Sequence, residues 1–234
     1  MRLDNSYFFF QADLTSEQCD RLVSLGEAKI DALKAADVCV AGKQGAESFV
    51  PGQDPDSIPA GILTADELKN SDLDLSKVYT RDSSVAWLQD EEIYQMLTPY
   101  IQYANLHAGW NFDWDQCEDL QYSTYEAADG KEQFLGWHID TLPPHPSHAG
   151  PNFEGKIRKL SMTVNLSSPE DYDGGDLMFD LGPHEGGPRF HVREEIRLRG
   201  SVIVFPSHIP HAVSPVTSGK RKSMVLWCCG APFR

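Results

Sequence analysis

The chain has 234 residues, a hydrophobic fraction of 41% and a formal net charge of −15 at pH 7. That length is enough for one domain with its own core. The acidic balance argues against nonspecific nucleic-acid binding, which draws its affinity from clustered lysine and arginine, and favours a neutral or basic partner such as a peptide.

The first residues, Met1-Arg-Leu-Asp-Asn-Ser6, lack the basic segment and long apolar run of a secretory signal, and the apolar run at 7–10 is too short to span a membrane. No membrane association and a cytoplasmic location are expected. Thr15-Ser-Glu-Gln18 has capping-box spacing, and Leu14 is placed to staple onto Cys19. This predicts a helix running toward Ala36 with Leu22, Val23, Ile30 and Leu33 on its apolar stripe. Residues 40–77, rich in Gly, Pro, Asp and Ser, read as a long irregular excursion able to fold over a site. A second helix is predicted from Asp90 to about Ala104, with Ile93, Met96, Leu97, Tyr100 and Ile101 at helical spacing. Pro99 should kink or divide it.

From residue 118 onward short extended runs alternate with turn clusters, the pattern of a sandwich or jelly roll. We therefore expect one domain, 1–234, with a helical support region at 1–117 and a strand-rich core at 118–234. The five cysteines (19, 39, 117, 228 and 229) are odd in number, form no C-x-x-C pair, and read as buried thiols in a reducing compartment.

Within that core, Phe134-Leu-Gly-Trp137 is apolar enough for a strand and leads into His138-Ile-Asp140. Side chains at i and i+2 of a strand share a face, so one short segment can present an imidazole and a carboxylate together. Ser201-Val-Ile-Val-Phe205 reads as a buried strand, Pro206-Ser-His-Ile-Pro210 as a turn, and His211 as the entrance of the next strand. Two histidines and one carboxylate are the ligand set of a facial Fe(II) site with open coordination positions. After a predicted turn at Thr217-Ser-Gly-Lys220, the final strand repeats the i, i+2 arrangement with Arg221 and Ser223, a guanidinium and a hydroxyl suited to clamping a carboxylate.

Other polar clusters carry less. His145-Pro-Ser-His148 lies in a proline-rich loop and reads as solvated. His208 competes with His211 as a ligand, although the residues after His211 suit that role better. His184 and His191 carry no signal. Asp171-Tyr-Asp-Gly-Gly-Asp176 fails as a calcium loop because its sixth and twelfth positions are Asp176 and Gly182, so a tight turn on Gly174 and Gly175 is expected. Cys228-Cys229 reads as a strand-end pair of buried thiols.

The ordered set formed by Gln121-Tyr-Ser-Thr-Tyr125, His138-Ile-Asp140, Arg158-Lys-Leu-Ser-Met-Thr-Val-Asn-Leu166, Asp173-Gly-Gly-Asp-Leu177, Gly200-Ser-Val-Ile-Val-Phe-Pro206, His211 and Gly219-Lys-Arg-Lys-Ser223 resembles the iron(II)/2-oxoglutarate-dependent dioxygenases, more narrowly the prolyl 4-hydroxylase-like type. The resemblance implies a mainly β (α+β) fold, a double-stranded β-helix (jelly roll) with N-terminal helices packed outside the larger sheet. It implies that His138, Asp140 and His211 bind Fe(II) and carry catalysis. Arg221, supported by Ser223, would receive the C5 carboxylate of 2-oxoglutarate, with Tyr125 as a further cosubstrate ligand and Tyr122 as its fallback. The implied reaction consumes O2 and 2-oxoglutarate, yields succinate and CO2, and hydroxylates a C–H bond, with ascorbate as a further cofactor. The implied partner is a proline-containing peptide or protein, with a free amino acid or small metabolite, or a silent binding module, as alternatives. Arg81-Asp-Ser-Ser-Val-Ala-Trp87 resembles a segment near the family's substrate groove but departs from the commoner Arg-Thr-Ser-x-Gly pattern, which weighs against collagen-like specificity. Trp137, Trp227 and Tyr125 offer aromatic surface, and residues 142–156 a lid.

Overall fold

A computed structural model of the chain describes residues 5–35, 81–128, 130–141, 143–182, 190–192 and 194–233. The predicted excursion at 40–77, Cys39 and His184 lie outside the described residues, as do Ala36, Leu142 and the side chains of His148 and His191.

Two helices and fourteen strands are found among the described residues. In chain order they are β1 (Phe8–Phe10), α1 (Ser16–Ala35), β2 (Arg81–Asp82), β3 (Ser84–Leu88), α2 (Glu91–His107), β4 (Gln116–Cys117), β5 (Leu120–Ala128), β6 (Lys131–Glu132) and β7 (Phe134–His138). Then follow β8 (Ile157–Asn165), β9 (Tyr172–Gly174), β10 (Leu177–Asp180), β11 (Phe190–Val192), β12 (Val202–Pro206), β13 (His211–Val213) and β14 (Val216–Gly230).

The strands pair antiparallel into a larger sheet, ordered β1-β12-β8-β14-β5-β3 with β4 and β9 on β14 and β6 on β5, and a smaller one ordered β11-β10-β13-β7-β2. This is the jelly roll expected from the sequence, with its helices outside the larger sheet. The helices start where the sequence places them. Thr15 and Gln18 exchange the reciprocal side-chain to backbone bonds of a capping box at 2.8 and 3.2 Å, and the Asp90 carboxylate accepts from the Ile93 amide at 3.1 Å.

Strand alternation divides the core. Val202 and Val204 of β12, with Leu160, Met162, Met224 and Leu226, face the helices and pack with Leu22, Ile30, Ile93, Leu97 and Ile101. Ile203 and Phe205, the intervening residues of β12, turn toward the smaller sheet and meet Leu177, Phe179 and Val213. Each such fully buried aliphatic or aromatic side chain contributes roughly 1.5–3 kcal/mol. The functional side chains take the positions that this division leaves over, on the inward faces of the two sheets.

Three expectations need correction. Pro99 does not divide the second helix, because it sits on the exposed face of α2, where water can solvate the carbonyl of exposed Gln95 that its missing amide would have engaged. The turn predicted at 217–220 is part of continuous β14, with an irregular register opposite β9 between Val216 and Ser218. Gly219 makes this possible at φ 70°, since a Cβ there would strike the Asp171 carbonyl. The N-terminal region is not helical alone, because β1 and β3 form the ends of the larger sheet's main path.

Candidate active site

Strands β7 and β13 pair so that His138 and His211 lie directly opposite one another. Their rings are 4.1 Å apart, centroid to centroid. Asp140, two residues beyond His138, sits between them: its Oδ1 is 3.5 Å from His138 Nε2 and its Oδ2 is 3.4 Å from His211 Nε2. One strand end and one strand entrance thus bring together the three residues that sequence spacing selected, and they could hold a metal ion.

Each imidazole is oriented by its own chain. His138 Nδ1 is 2.8 Å from the Gly136 carbonyl and His211 Nδ1 is 3.0 Å from the Ile209 carbonyl. A carbonyl can only accept, so these contacts assign the proton to Nδ1 and leave the Nε2 lone pair of each ring free toward Asp140. Burial, together with neighbouring His138, lowers the His211 pKa to about 4, which keeps that ring neutral at ordinary pH. Burial opposes ionisation of Asp140, but the two imidazoles and the Arg158 guanidinium outweigh it and hold the carboxyl below the ordinary carboxylate range. Two imidazole nitrogens and one anionic oxygen suit Fe(II), so the donor set fits the metal that the sequence resemblance implies.

The sequence reading missed what holds Asp140. The Ser161 hydroxyl of β8 donates to Asp140 Oδ2 at 2.7 Å and lies 2.9 Å from the Ser207 hydroxyl. The Ser207 carbonyl accepts from the amides of Asp140 and Thr141 at 2.8 and 3.0 Å. The turn that delivers His211 therefore also anchors Asp140. His208 stays exposed on that turn.

On β14, Arg221 is opposite Tyr125 and Ser223 opposite Ser123 of β5. The Arg221 guanidinium lies 5.6 Å from the centre of the Tyr125 ring and donates to the Ser223 hydroxyl at 3.3 Å. Arg221 is only 3% exposed, yet among the described residues no carboxylate stands within ion-pair distance of it. Gly175, at φ 63°, leaves space against the Arg221 side chain that a Cβ would fill. Gly175 of the Asp173-Gly-Gly-Asp turn thus gives room to Arg221 as well as to the turn. Tyr122, the fallback for Tyr125, points the other way: its ring covers Gly26 of α1 and its hydroxyl donates to Glu27 at 3.0 Å.

A second polar group lies nearby. Glu118 takes a bidentate pair from Arg158, with Nε at 2.7 Å and Nη2 at 2.5 Å, and its Oε1 is 3.2 Å from both His145 Nε2 and Cys229 Sγ. His145 is therefore no solvated loop residue, as its proline-rich surroundings suggested. Glu118, His145 and Cys229 are close enough to hold a metal, but Arg158 already supplies the cation on both carboxylate oxygens. Arg158 also lies 4.0 Å over Trp227, which is 5.9 Å from Trp87. The buried Trp227 Nε1 has no hydrogen-bond partner among the described residues.

Comparison with known proteins places this geometry. Residues 120–229 match the model of the 2OG-Fe(II) oxygenase superfamily. That segment is similar to the superfamily, and the fold built around it is similar to the folds of solved prolyl hydroxylases. The chain is 37% identical over 106 residues to a PKHD-type hydroxylase of Synechococcus sp. strain CC9902, covering 45% of this chain and 38% of that protein. It is 34% identical over 98 residues to a PKHD-type hydroxylase of Alteromonas mediterranea, covering 42% and 38%. The matching stretch thus spans less than half the length of these relatives. Among solved structures, the fold is similar to the viral collagen prolyl hydroxylase of Paramecium Bursaria Chlorella virus-1, with a TM-score of 0.58 at 16% identity over 97% of this chain and 98% of that one. It is also similar to a Pseudomonas putida prolyl-4-hydroxylase, with a TM-score of 0.56 at 17% identity over 96% and 93%.

Proposed function

We propose that this chain is an Fe(II)- and 2-oxoglutarate-dependent dioxygenase that hydroxylates a prolyl residue in a peptide or protein. The observation that carries the reading is the His138–Asp140–His211 arrangement, with both Nε2 atoms turned to one carboxylate and both Nδ1 atoms engaged by backbone carbonyls. His138, Asp140 and His211 would hold the iron. Arg221 with Ser223 would receive the distal carboxylate of 2-oxoglutarate, and Tyr125 would border it. Iron and 2-oxoglutarate, when bound, supply the oxidising chemistry that activates O2 and hydroxylates a C–H bond, leaving succinate and CO2.

The chain's own residues position and exclude. Burial of Asp140, His211 and Arg221 keeps water from the charges at both ends of the cosubstrate. The Arg221 guanidinium, without a counter-ion among the described residues, supports an anionic ligand, because a buried cation is costly until an anion reaches it. A peptide substrate is supported by Trp227, whose buried indole N–H beside Trp87 and Arg158 lacks an acceptor among the described residues. A backbone carbonyl would satisfy it. The net charge of −15 favours a neutral or basic peptide.

The test is mass spectrometry of proline-containing peptides incubated with the protein, Fe(II), 2-oxoglutarate and air. Gain of one oxygen on a prolyl residue, matched by succinate and lost in Asp140→Ala, supports the reading. Oxygen gain on free amino acids alone, or none in any peptide while succinate forms, overturns the peptidyl-proline assignment.

A further inference from the structure

The edge where β4 meets β14 carries chemistry that the proposed hydroxylation does not use. Cys117 and Cys228 are direct cross-strand partners in this antiparallel pair. Their sulfurs face each other at 2.7 Å. Opposed residues of antiparallel strands have Cα atoms about 4.5–5.5 Å apart, within the range that a disulfide spans without backbone movement. Both cysteines are free thiols in the structure; Cys228 is fully buried and Cys117 half-buried, so an oxidant from solvent reaches Cys117 first. The neighbouring residues along each strand belong to the polar group beside the triad: Glu118 follows Cys117, while Trp227 and Cys229 flank Cys228.

We propose that Cys117 and Cys228 are a redox-modification site, closed into an intramolecular disulfide by hydrogen peroxide and reopened by thiols. The Cys117 sulfur attacks one peroxide oxygen as its thiol proton is released; the O–O bond breaks, leaving a sulfenic acid on Cys117 and, after protonation, one water. Cys228 then attacks the Cys117 sulfur, the S–O bond breaks, and the departing hydroxide takes the Cys228 proton as a second water. Two thiols are oxidised by two electrons and one peroxide is reduced to two waters. Cys229 does not compete for Cys117, because its sulfur is committed to Glu118 at 3.2 Å and to His145 at 3.8 Å. The bond would fasten β4 to β14 across 111 residues of sequence and fix the strand ends that carry Glu118 and Trp227.

The experiment treats the native chain with stoichiometric hydrogen peroxide, alkylates it under denaturing conditions and maps the peptides by mass spectrometry. Three of the five cysteines should alkylate after oxidation, a single 117–228 linked peptide should appear, and dithiothreitol should restore all five. The oxidised protein should melt roughly 5–10 °C higher, as a cross-link closing a loop of this length restricts the unfolded chain. Cys117→Ser should lose both effects, whereas Cys19→Ser should keep both. Five alkylated cysteines after peroxide, a 228–229 or intermolecular link, or sulfinic acid on Cys117 without a linked peptide would each overturn the proposal. The peptide map on the unmutated chain decides this even if a variant fails to fold.

Discussion

His138 and His211 face each other across one antiparallel strand pair, and both turn Nδ1 to a carbonyl two residues back along their own chain. The same backbone device is thus used twice, once at a strand's end and once at a strand's start, to aim two lone pairs at Asp140. The third element of the arrangement, Ser161, comes from the other sheet.

Ser161→Ala should weaken Fe(II) affinity by roughly 10- to 100-fold, because groups that orient a ligand typically carry that much. Its hydroxyl is the donor that fixes Asp140 Oδ2. The check is a metal titration of the purified variant alongside its melting temperature. Unchanged affinity would mean that Ser207 and the neighbouring amides suffice to hold the carboxylate.

Arg221→Ala should raise the 2-oxoglutarate requirement by roughly 10- to 100-fold, from loss of a charge-assisted bond of about 1.5–3 kcal/mol. Fe(II) binding should be nearly unaffected. Because Arg221 has no carboxylate partner among the described residues, its removal should not destabilise the metal-free fold as removal of one member of a buried ion pair would. Steady-state kinetics against 2-oxoglutarate, paired with a melt, separate the two effects.

Glu118 sets an acid limb. Burial opposes its ionisation, but the Arg158 guanidinium and the hydrogen bonds from His145, Arg158 and Cys229 prevail and lower its pKa to about 2, against an ordinary 4.5. Between those values the unfolded chain binds the proton that the folded chain refuses. The stability this group contributes is therefore full above about pH 4.5 and is lost as pH falls toward 2. Glu118→Gln should flatten that limb and cost roughly 3–5 kcal/mol at neutral pH by leaving Arg158 buried without its anion. Denaturant melts from pH 2 to 7 on both proteins measure the difference.

Gly26→Ala should destabilise the chain by at least about 1–3 kcal/mol, since a Cβ there overlaps the buried Tyr122 ring on the larger sheet. Restoring room with Gly26→Ala/Tyr122→Leu should recover part of the loss. An unchanged melting temperature in the single variant would contradict the packing of α1 on β5.

The triad was legible because its logic is local. His138 and Asp140 share a strand face by spacing alone, and the proline-bounded turn before His211 marks where the next strand begins. Arg221 and Ser223 follow from the same alternation, and the Thr15 capping box fixed the start of the first helix. The group formed by Glu118, His145, Arg158 and Cys229 was illegible, because its members come from different segments and meet only once β14 returns beside β8. Residues 217–220 misled because Thr, Ser and Gly favour turns, whereas here Gly219 lets a strand pass close under the Asp171 carbonyl. β1 escaped notice because three phenylalanines carry no period.

The most direct test of the dioxygenase reading is succinate formed from 2-oxoglutarate with Fe(II), comparing air with nitrogen and the unmutated chain with Asp140→Ala. Succinate that requires both O2 and Asp140 is the predicted result. Equal succinate in the Asp140→Ala variant, or under nitrogen, would contradict a metal centre built on His138, Asp140 and His211.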